Sequence, residues 1–458
     1  MNIPEVNLYN EQKIKIITPS KKCPSPLKTL YFTSNLIDYK EKGSDNVKTI
    51  ILEDKKEFIT FFISDFGYDF YSKILQENGL IRSYSIKGNH NLYIGRYFNN
   101  IYKLSKAYRL CGKDVFQKDS LNLNYQYMKN QYNNDFNYMP DSYYYPKDKI
   151  AIENKFRNYK FNKSNLWLIK PVNKSSGKGI FILQSFKDIF LKEYIITQYI
   201  SNLNLINNKK FDLRLYILIS GIQPLRIYFH KEGYARIATK NFTLDSNNKY
   251  IHLTNTAVNK YSKDYIFPKN SSDVNANIWH IKTYSNYIKE KYNIEWVSIR
   301  QKIKDIIIKS IISVYRDLKN EKQKFKSNDM SYYCLLGFDI LISDEFEPIL
   351  LEINNGPDMV IGDKVDKGIK INLFLDIMNL IGISPFNKRL FNKTLNKKKY
   401  FDMDEIINNA ICELTRPRGD FELIFPLKDN IEKYKKYFDD DSHNDFIFWE
   451  RLKASFKM

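Results

Sequence analysis

Cysteine is scarce in this chain. Its 458 residues include four, Cys23, Cys111, Cys334 and Cys412, scattered without metal-binding spacing. They read as reduced thiols of an intracellular protein. Histidine is nearly as rare, with five dispersed residues, which argues against a zinc site. Long apolar runs are missing too. The longest, Leu215 to Ile222, is broken by polar residues and is far too short to span a bilayer. The first residues carry acids and no apolar core, so no secretory signal is expected. Acid is outnumbered: 52 Asp and Glu against 72 Lys and Arg leave a net charge of +20. An excess of that size predicts a polyanionic partner, either nucleic acid, an anionic membrane or an acidic protein tail, without choosing among them.

What is present is core material. Hydrophobic residues make up 43% of the chain and aromatics 15%, which excludes overall disorder and allows two to four domains. Residues 1 to about 90 mix short apolar runs (Thr49 to Leu52, Phe58 to Ile63) with polar turns, as in a small α/β unit. Gln126 to Tyr145, rich in Tyr and Asn, is expected to be loop. Strands are expected at Leu166 to Lys170, Gly179 to Leu183, Tyr194 to Gln198, Phe211 to Ser220 and Leu225 to His230. Residues 260 to 290 read as a polar loop or insertion. Ile299, Ile303, Ile306, Ile307, Ser310, Val314 and Leu318 recur at helical spacing and predict an amphipathic helix packed on a sheet. A further helix is expected near Lys370 to Leu380.

The chemistry concentrates in four places. Phe338 to Ile342 and Ile349 to Ile353 flank a polar turn and predict a β-hairpin. If it folds symmetrically about Glu345 and Phe346, Asp339 lies across from Glu352, with Asn354 on the same face. Facing carboxylates in apolar strands repel, and a divalent cation removes the conflict. Two carboxylates and an amide oxygen form a hard ligand set suited to Mg²⁺ shared with phosphates.

Lys170 ends a strand before the loop Asn173-Lys-Ser-Ser-Gly-Lys-Gly179. Its glycines, hydroxyls and lysines suit phosphate, but the spacing is not that of a Walker A loop. The strand end at Gln198, Tyr199 and Ile200 could seat a purine by backbone hydrogen bonds. In Lys210-Phe-Asp-Leu-Arg214, alternation places Asp212, Arg214 and Tyr216 on one face, and Arg214 suits phosphate or carboxylate. Thr254 and Asn255 are short polar groups at an expected strand end.

In this order these segments resemble the tubulin–tyrosine ligase and ligase-like family, over roughly residues 90 to 385. The motifs carrying the resemblance are Trp167-Leu-Ile-Lys-Pro171 with its glycine loop, Gln198-Tyr-Ile200, Lys210-Phe-Asp-Leu-Arg214, His252-Leu-Thr-Asn255, and Gly337-Phe-Asp339 through Leu351-Glu-Ile-Asn-Asn-Gly-Pro357. Arg418-Gly-Asp-Phe-Glu-Leu-Ile-Phe-Pro426 looks like a segment of the polyglutamylase-type relatives.

The resemblance implies an α/β (α+β) ATP-grasp fold, with mixed and antiparallel sheets and the nucleotide between central and C-terminal domains. The expected division is 1–90, 91–205, 206–385 and 386–458. ATP and Mg²⁺ would be held by Lys170, Ser176, Gly177, Lys178, Gly179, Asp339, Glu352 and Asn354, with adenine at Gln198, Tyr199 and Ile200. Lys210, Asp212, Arg214 and Arg236 would order nucleotide, acyl phosphate and amino acid. Thr254, Asn255 and Lys370 would contact substrate.

The implied activity is an ATP-dependent carboxylate–amine ligase acting on acidic tubulin tails or microtubules. Glutamate is the first choice of free amino acid, and glycine and tyrosine remain open. Neither membrane nor nucleic acid is expected as a partner. The implied location is cytoplasmic and cytoskeletal, with cilium or flagellum open. The loop after the metal strand reads Asn-Gly-Pro-Asp where many relatives have Ser-Pro or Ala-Pro. Two other classes stay open: a basic nucleic-acid-binding protein, and an ATP-binding pseudoenzyme.

Overall fold

The twelve residues of the strand Phe211–Ile222 are all buried, and that fact organises the molecule. A strand covered on both faces needs no polar alternation, which explains the apolar stretch Leu215 to Ile219. The computed structural model describes residues 11–24, 28–37, 47–53, 58–63, 69–85, 90–95, 106–108, 115–157, 159, 165–174, 177–183, 193–324, 332–385, 403–439 and 442–456. Cys111, Ser176 and the basic run from Lys388 to Lys399 lie outside them.

In the N-terminal part, strands β1 (Gln12–Ile17), β2 (Thr29–Leu30) and β3 (Val47–Leu52) form a small antiparallel sheet in the order β2-β1-β3. Next come β4 (Thr60–Ile63), helix α1 (Asp69–Glu77), β5 (Ile81–Arg82), β6 (Leu92–Ile94) and β7 (Lys106–Tyr108). Helices α2 (Lys118–Tyr132) and α3 (Lys149–Phe156) flank β8 (Ser142–Tyr145). The strands β9 (Trp167–Pro171), β10 (Phe181–Leu183) and β11 (Tyr194–Gln198) join β8 in an antiparallel sheet of order β10-β9-β11-β8.

The long strands follow: β12 (Phe211–Ile222) and β13 (Leu225–Ile237), then helices α4 (Lys249–His252) and α5 (Thr256–Asn259). Strand β14 (Ile278–His280) leads to helices α6 (Ile281–Tyr292), α7 (Trp296–Ser313) and α8 (Tyr315–Lys324). The hairpin β15 (Tyr332–Ile342) and β16 (Pro348–Asn355) precedes α9 (Lys364–Ile381); a helix over Met403–Thr415, the strand β17 (Phe421–Phe425) and helices over Ile431–Lys435 and His443–Phe456 follow. The ten-stranded sheet runs β14-β13-β12-β15-β7-β6-β4-β5, with β16 added on β15 and β17 on β13. Its β12 to β15 half is antiparallel, and β15, β7, β6, β4 and β5 run parallel.

Two apolar layers sandwich this sheet. On one face Leu213, Leu215, Ile217 and Ile219 meet Ile299, Ile303 and Ile307 of α7, the stripe expected from spacing. On the other face Tyr216, Leu218 and Tyr228 meet Leu373, Ile377 and Leu380 of α9. That second helix spans Lys364–Ile381 and begins earlier than the sequence suggests, behind Asp363, whose side chain accepts from Asp366 N.

Several expectations need correction. Gln126 to Tyr145 is mostly ordered: α2 continues to Tyr132 and β8 closes the stretch. Leu121, Tyr125 and Met128 do recur at helical spacing, but Asn, Tyr and Gln between them mask the pattern. Residues 260 to 290 include β14 and α6, whose Ile281, Tyr284 and Ile288 face the core while polar neighbours face water. Thr254 and Asn255 sit between two short helices, not at a strand end.

The reduced-thiol reading fails for one pair. Cys23 and Cys412 are joined by a disulfide across a separation of 389 residues, linking the N-terminal sheet region to the Met403–Thr415 helix. Cys334 is free and buried. No local spacing announces such a bond, because only the tertiary fold brings its ends together.

Candidate active site

The hairpin register pairs Asp339 with Glu352. A bulge follows between Asp339 and Ile340, so the strands slip by one residue toward the turn, where Phe346 takes a φ of 60°. Asn354 Nδ2 donates to Asp339 Oδ2 and to Glu352 Oε1, both at 3.2 Å, and so bridges the two acids. Their protonation tendencies split. Burial, with the nearby Asp339 charge, pushes the Glu352 carboxyl up. Asp339 is also buried, yet Arg214 and Arg236 hold it far below the usual carboxylate range.

The arginines are already engaged. Arg214 grips Asp339 with both prongs, Nε to Oδ1 at 2.6 Å and Nη2 to Oδ2 at 3.0 Å. Arg236 reaches Asp212 through Nε at 2.8 Å and Asp339 through Nη2 at 2.8 Å. Asp212, Arg214, Arg236 and Asp339 thus form one buried four-charge cluster on neighbouring strands. The sequence pattern brought Asp212 and Arg214 to one face but did not show that Asp339 fills the Arg214 fork. Gly337 makes room for this packing. A Cβ there would meet Pro357 Cβ at 2.9 Å and Arg214 Cδ at 3.4 Å.

Beside the acids lies a cavity of about 550 Å³, a size suited to a small-molecule ligand. Lys170, Glu352 and Asn354 line it, together with Lys118, Asn122 and Thr197. The last three were not singled out by sequence. Lys118 and Asn122 share one face of α2 at a spacing of four, and their relation to Glu352 exists only in three dimensions. Burial pushes the Lys170 ammonium down to about 8, against the pull of Glu352. Gln198, by contrast, is exposed; Ile195 and Thr197 are the β11 residues lining the cavity. Gln198 N and Tyr199 N donate to Asp141 O and Leu166 O.

In the glycine loop, Gly177 and Gly179 hold φ of +75° and +73°, a region glycine enters without cost. The loop leans on α5: a Cβ at Gly177 would lie 3.0 Å from Asn255 Oδ1. Lys178 is exposed. Thr254 is buried. Lys370 is buried and donates to Val360 O at 2.7 Å and Asp366 Oδ2 at 2.8 Å. Burial opposes its charge, but Tyr234 and Asp366 keep its pKa above the ordinary lysine value.

Lys210 forms a third group. Its Nζ donates to Tyr199 Oη at 3.2 Å and lies 4.3 Å from that ring's centre. Burial lowers its pKa to about 7 despite Asp212.

The donor set at Asp339, Glu352 and Asn354 is all oxygen once the Asn354 amide turns its Oδ1 inward, which fits Mg²⁺. Among the described residues no cluster of three or more His, Cys, Asp and Glu could hold an ion by itself. Asp339, Glu352 and Asn354 would hold such an ion, which would supply neutralisation of negative oxygens beside Lys170.

Comparison with known proteins bears on this arrangement directly. Residues 98–390 match the model of the tubulin-tyrosine ligase family. The chain belongs to that family. Its fold is accordingly ATP-grasp-like, with the candidate site between the β8 to β11 sheet and the long antiparallel strands. Among relatives of this family, tubulin polyglutamylase TTLL6 of Mus musculus is 30% identical over 420 residues, covering 85% of this chain and 50% of that protein. Tubulin polyglutamylase TTLL5 of Mus musculus is 30% identical over 282 residues, 60% of this chain and 21% of its own length. A probable alpha-tubulin polyglutamylase Ttll1 of Tetrahymena thermophila is 28% identical over 317 residues, 64% of this chain and 72% of its own. The chain thus spans half the length of the mouse TTLL6 protein it resembles. Among the described residues no helix is long and apolar enough to cross a membrane.

Proposed function

We propose that this chain is an ATP-dependent ligase that joins an amino acid, glutamate by preference, to side-chain carboxylates of acidic tubulin tails. The observation that carries the reading is the facing Asp339–Glu352 pair beside Lys170 in a chain of this family. The names of its relatives, tubulin polyglutamylases, support glutamate over glycine or tyrosine. The acceptor carboxylate attacks the γ-phosphorus of ATP, releasing ADP and leaving an acyl phosphate. The amine of the incoming amino acid then attacks the acyl carbon, forming an amide and releasing phosphate and a proton.

In this reading no side chain becomes a nucleophile; positioning and charge neutralisation carry the rate. Asp339, Glu352 and Asn354 would hold Mg²⁺, which supplies Lewis-acid neutralisation of phosphate oxygens when bound. Lys170, Gly177, Lys178 and Gly179 would hold phosphates, with adenine at the Gln198, Tyr199 and Ile200 strand end through groups other than the Gln198 and Tyr199 N–H, which bond Asp141 and Leu166. Asp212 keeps Arg236 oriented, and Lys210, Arg214 and Arg236 would face the transferring phosphoryl group and the amino acid. Thr254, Asn255 and Lys370 would bound the substrate space. Cytoskeletal placement follows from the acceptor.

Two lysines near the site have depressed pKa values, and this predicts a pH dependence. Only the ammonium form attracts phosphate. ATP affinity should therefore fall as pH rises through about 7 (Lys210) and about 8 (Lys170). At pH 8 binding should take up protons. Calorimetry in buffers of different ionisation enthalpy measures that uptake, and zero uptake at pH 8 would contradict the lysine assignments.

A second test concerns the +20 charge. Contacts with an acidic tail would be exposed and spread out, so salt screens them beyond a Debye length of about 8–10 Å. Contacts with ATP would be enclosed and less screened. Raising salt to physiological strength should raise the tubulin KM far more than the ATP KM. Cutting the acidic tails from tubulin should abolish modification and leave ATP affinity intact. Equal salt sensitivity, or undiminished modification of tail-less tubulin, would refute the acceptor.

A further inference from the structure

The Lys210 ammonium is the first donor of a buried chain that the reaction above does not explain. Lys210 Nζ donates to Tyr199 Oη at 3.2 Å. Tyr199 Oη lies 2.9 Å from His252 Nδ1. His252 Nε2 in turn meets Ser246 O. A backbone carbonyl only accepts, so His252 carries its proton on Nε2 and presents Nδ1 as an acceptor. The Tyr199 hydroxyl then donates to His252 and has a lone pair left for Lys210. With Lys210 protonated the chain runs in one direction: Lys210 to Tyr199 to His252 to Ser246.

All three side chains are buried, with 5 to 6% of their surface exposed. They come from three places: the residue after β11, the residue before β12 and the last residue of α4. The Tyr199 and His252 rings also meet edge to face at 5.5 Å, and Phe242 packs on the outer side of the imidazole. The charged groups acting on Lys210 are Asp212 on the adjoining β12 and Lys170 on β9. Lys210 itself is the charged group acting on His252, whose burial keeps it neutral.

We propose that Tyr199 and His252 are positioning residues that keep Lys210 protonated and aimed at the nucleotide. The hydroxyl gives a desolvated ammonium an acceptor, the imidazole fixes that hydroxyl's rotor, and the Ser246 carbonyl fixes the tautomer. The proposal rests on the ATP-binding reading of the site and adds two residues to it whose side chains act only through Lys210.

Losing the acceptor disfavours the ammonium, so the Lys210 pKa drops further. A drop of about one unit lowers the protonated fraction roughly tenfold at pH 8 but only about twofold at pH 6. Tyr199→Phe and His252→Ala should therefore weaken ATP–Mg²⁺ binding about tenfold at pH 8 and less than threefold at pH 6. His252→Gln restores an acceptor toward Tyr199 and a donor toward Ser246, and should stay within threefold of wild type at both.

Titration calorimetry of the full chain with ATP and Mg²⁺ at pH 6 and 8 reads this. Thermal melting confirms folding, and the two His252 variants carry the test if Tyr199→Phe does not fold. Equal losses at both pH values, no loss in any variant, or a His252→Gln as damaged as His252→Ala would overturn the proposal. Wild type that binds ATP while the variants keep its pH profile sinks the relay alone. Wild type that fails to bind ATP sinks the nucleotide reading and the relay with it.

Discussion

Glu352→Gln is expected to abolish ligation while the chain stays folded. Gln keeps the shape and removes the charge. In the metal-free protein that removal is favourable, because burial and Asp339 already push the Glu352 carboxyl toward its neutral form. A carboxyl raised in the folded state stabilises at low pH, below its unfolded value, and loses that contribution as pH rises through its folded value. The variant should thus gain on wild type as pH climbs from the ordinary carboxylate range through the raised Glu352 value, and melt at the same or a higher temperature without Mg²⁺. The Gln amide can also donate to Asp339 as a protonated Glu would, while Asn354 Nδ2 still donates to its oxygen. With Mg²⁺ and ATP the balance reverses, since a neutral amide is a poor substitute for a carboxylate on a hard cation. A loss of about 4 kcal/mol in transition-state stabilisation corresponds to roughly a thousandfold in rate. Mass spectrometry of tubulin incubated with the variant, ATP, Mg²⁺ and glutamate measures it. Wild-type rates would sink the metal assignment.

Arg214→Lys should cost nearly as much, for a different reason. The Arg214 guanidinium spans both oxygens of Asp339, at 2.6 and 3.0 Å. An ammonium matches the charge but not the planar fork; Asp339 Oδ2 keeps Arg236 and Asn354, but the two-pronged hold across both oxygens is lost. Two losses are expected. Stability should fall by about 1–3 kcal/mol, seen as a lower Tm, because a buried acceptor loses a charge-assisted partner. Turnover at saturating ATP and amino acid should fall roughly a hundredfold, equivalent to about 3 kcal/mol in the transition state. The two readouts separate the roles. If Tm drops while turnover falls less than about threefold, Arg214 only holds Asp339 in place.

The parts of this site that were legible in sequence share a short range. Alternation along β12 put Asp212, Arg214 and Tyr216 on one face, and the hairpin's apolar arms predicted that Asp339 faces Glu352, as the register has it. A period of two and a nearby turn are enough for that. The bulge after Asp339 was not legible, since one extra residue in a strand leaves no compositional trace. Helix α6 was read as loop because three core residues in twelve are too few to stand out among polar neighbours.

By itself the sequence determined where the long apolar strands lie, which helix stripe packs on them, and which acids and bases share a strand face. It also carried the family's ordered motifs. Only the tertiary structure decided which charges neutralise one another. Asp339 is held by arginines from β12 and β13, Glu352 meets Lys118 from α2, and Lys210 is reached from α4 through Tyr199. It also decided that Cys23 bonds Cys412 and that Arg226 is buried against Glu413, each pair well over a hundred residues apart. The reason is range. Backbone periodicity sets a side chain's direction within its own element, whereas the partner it meets depends on how the elements close over a shared core.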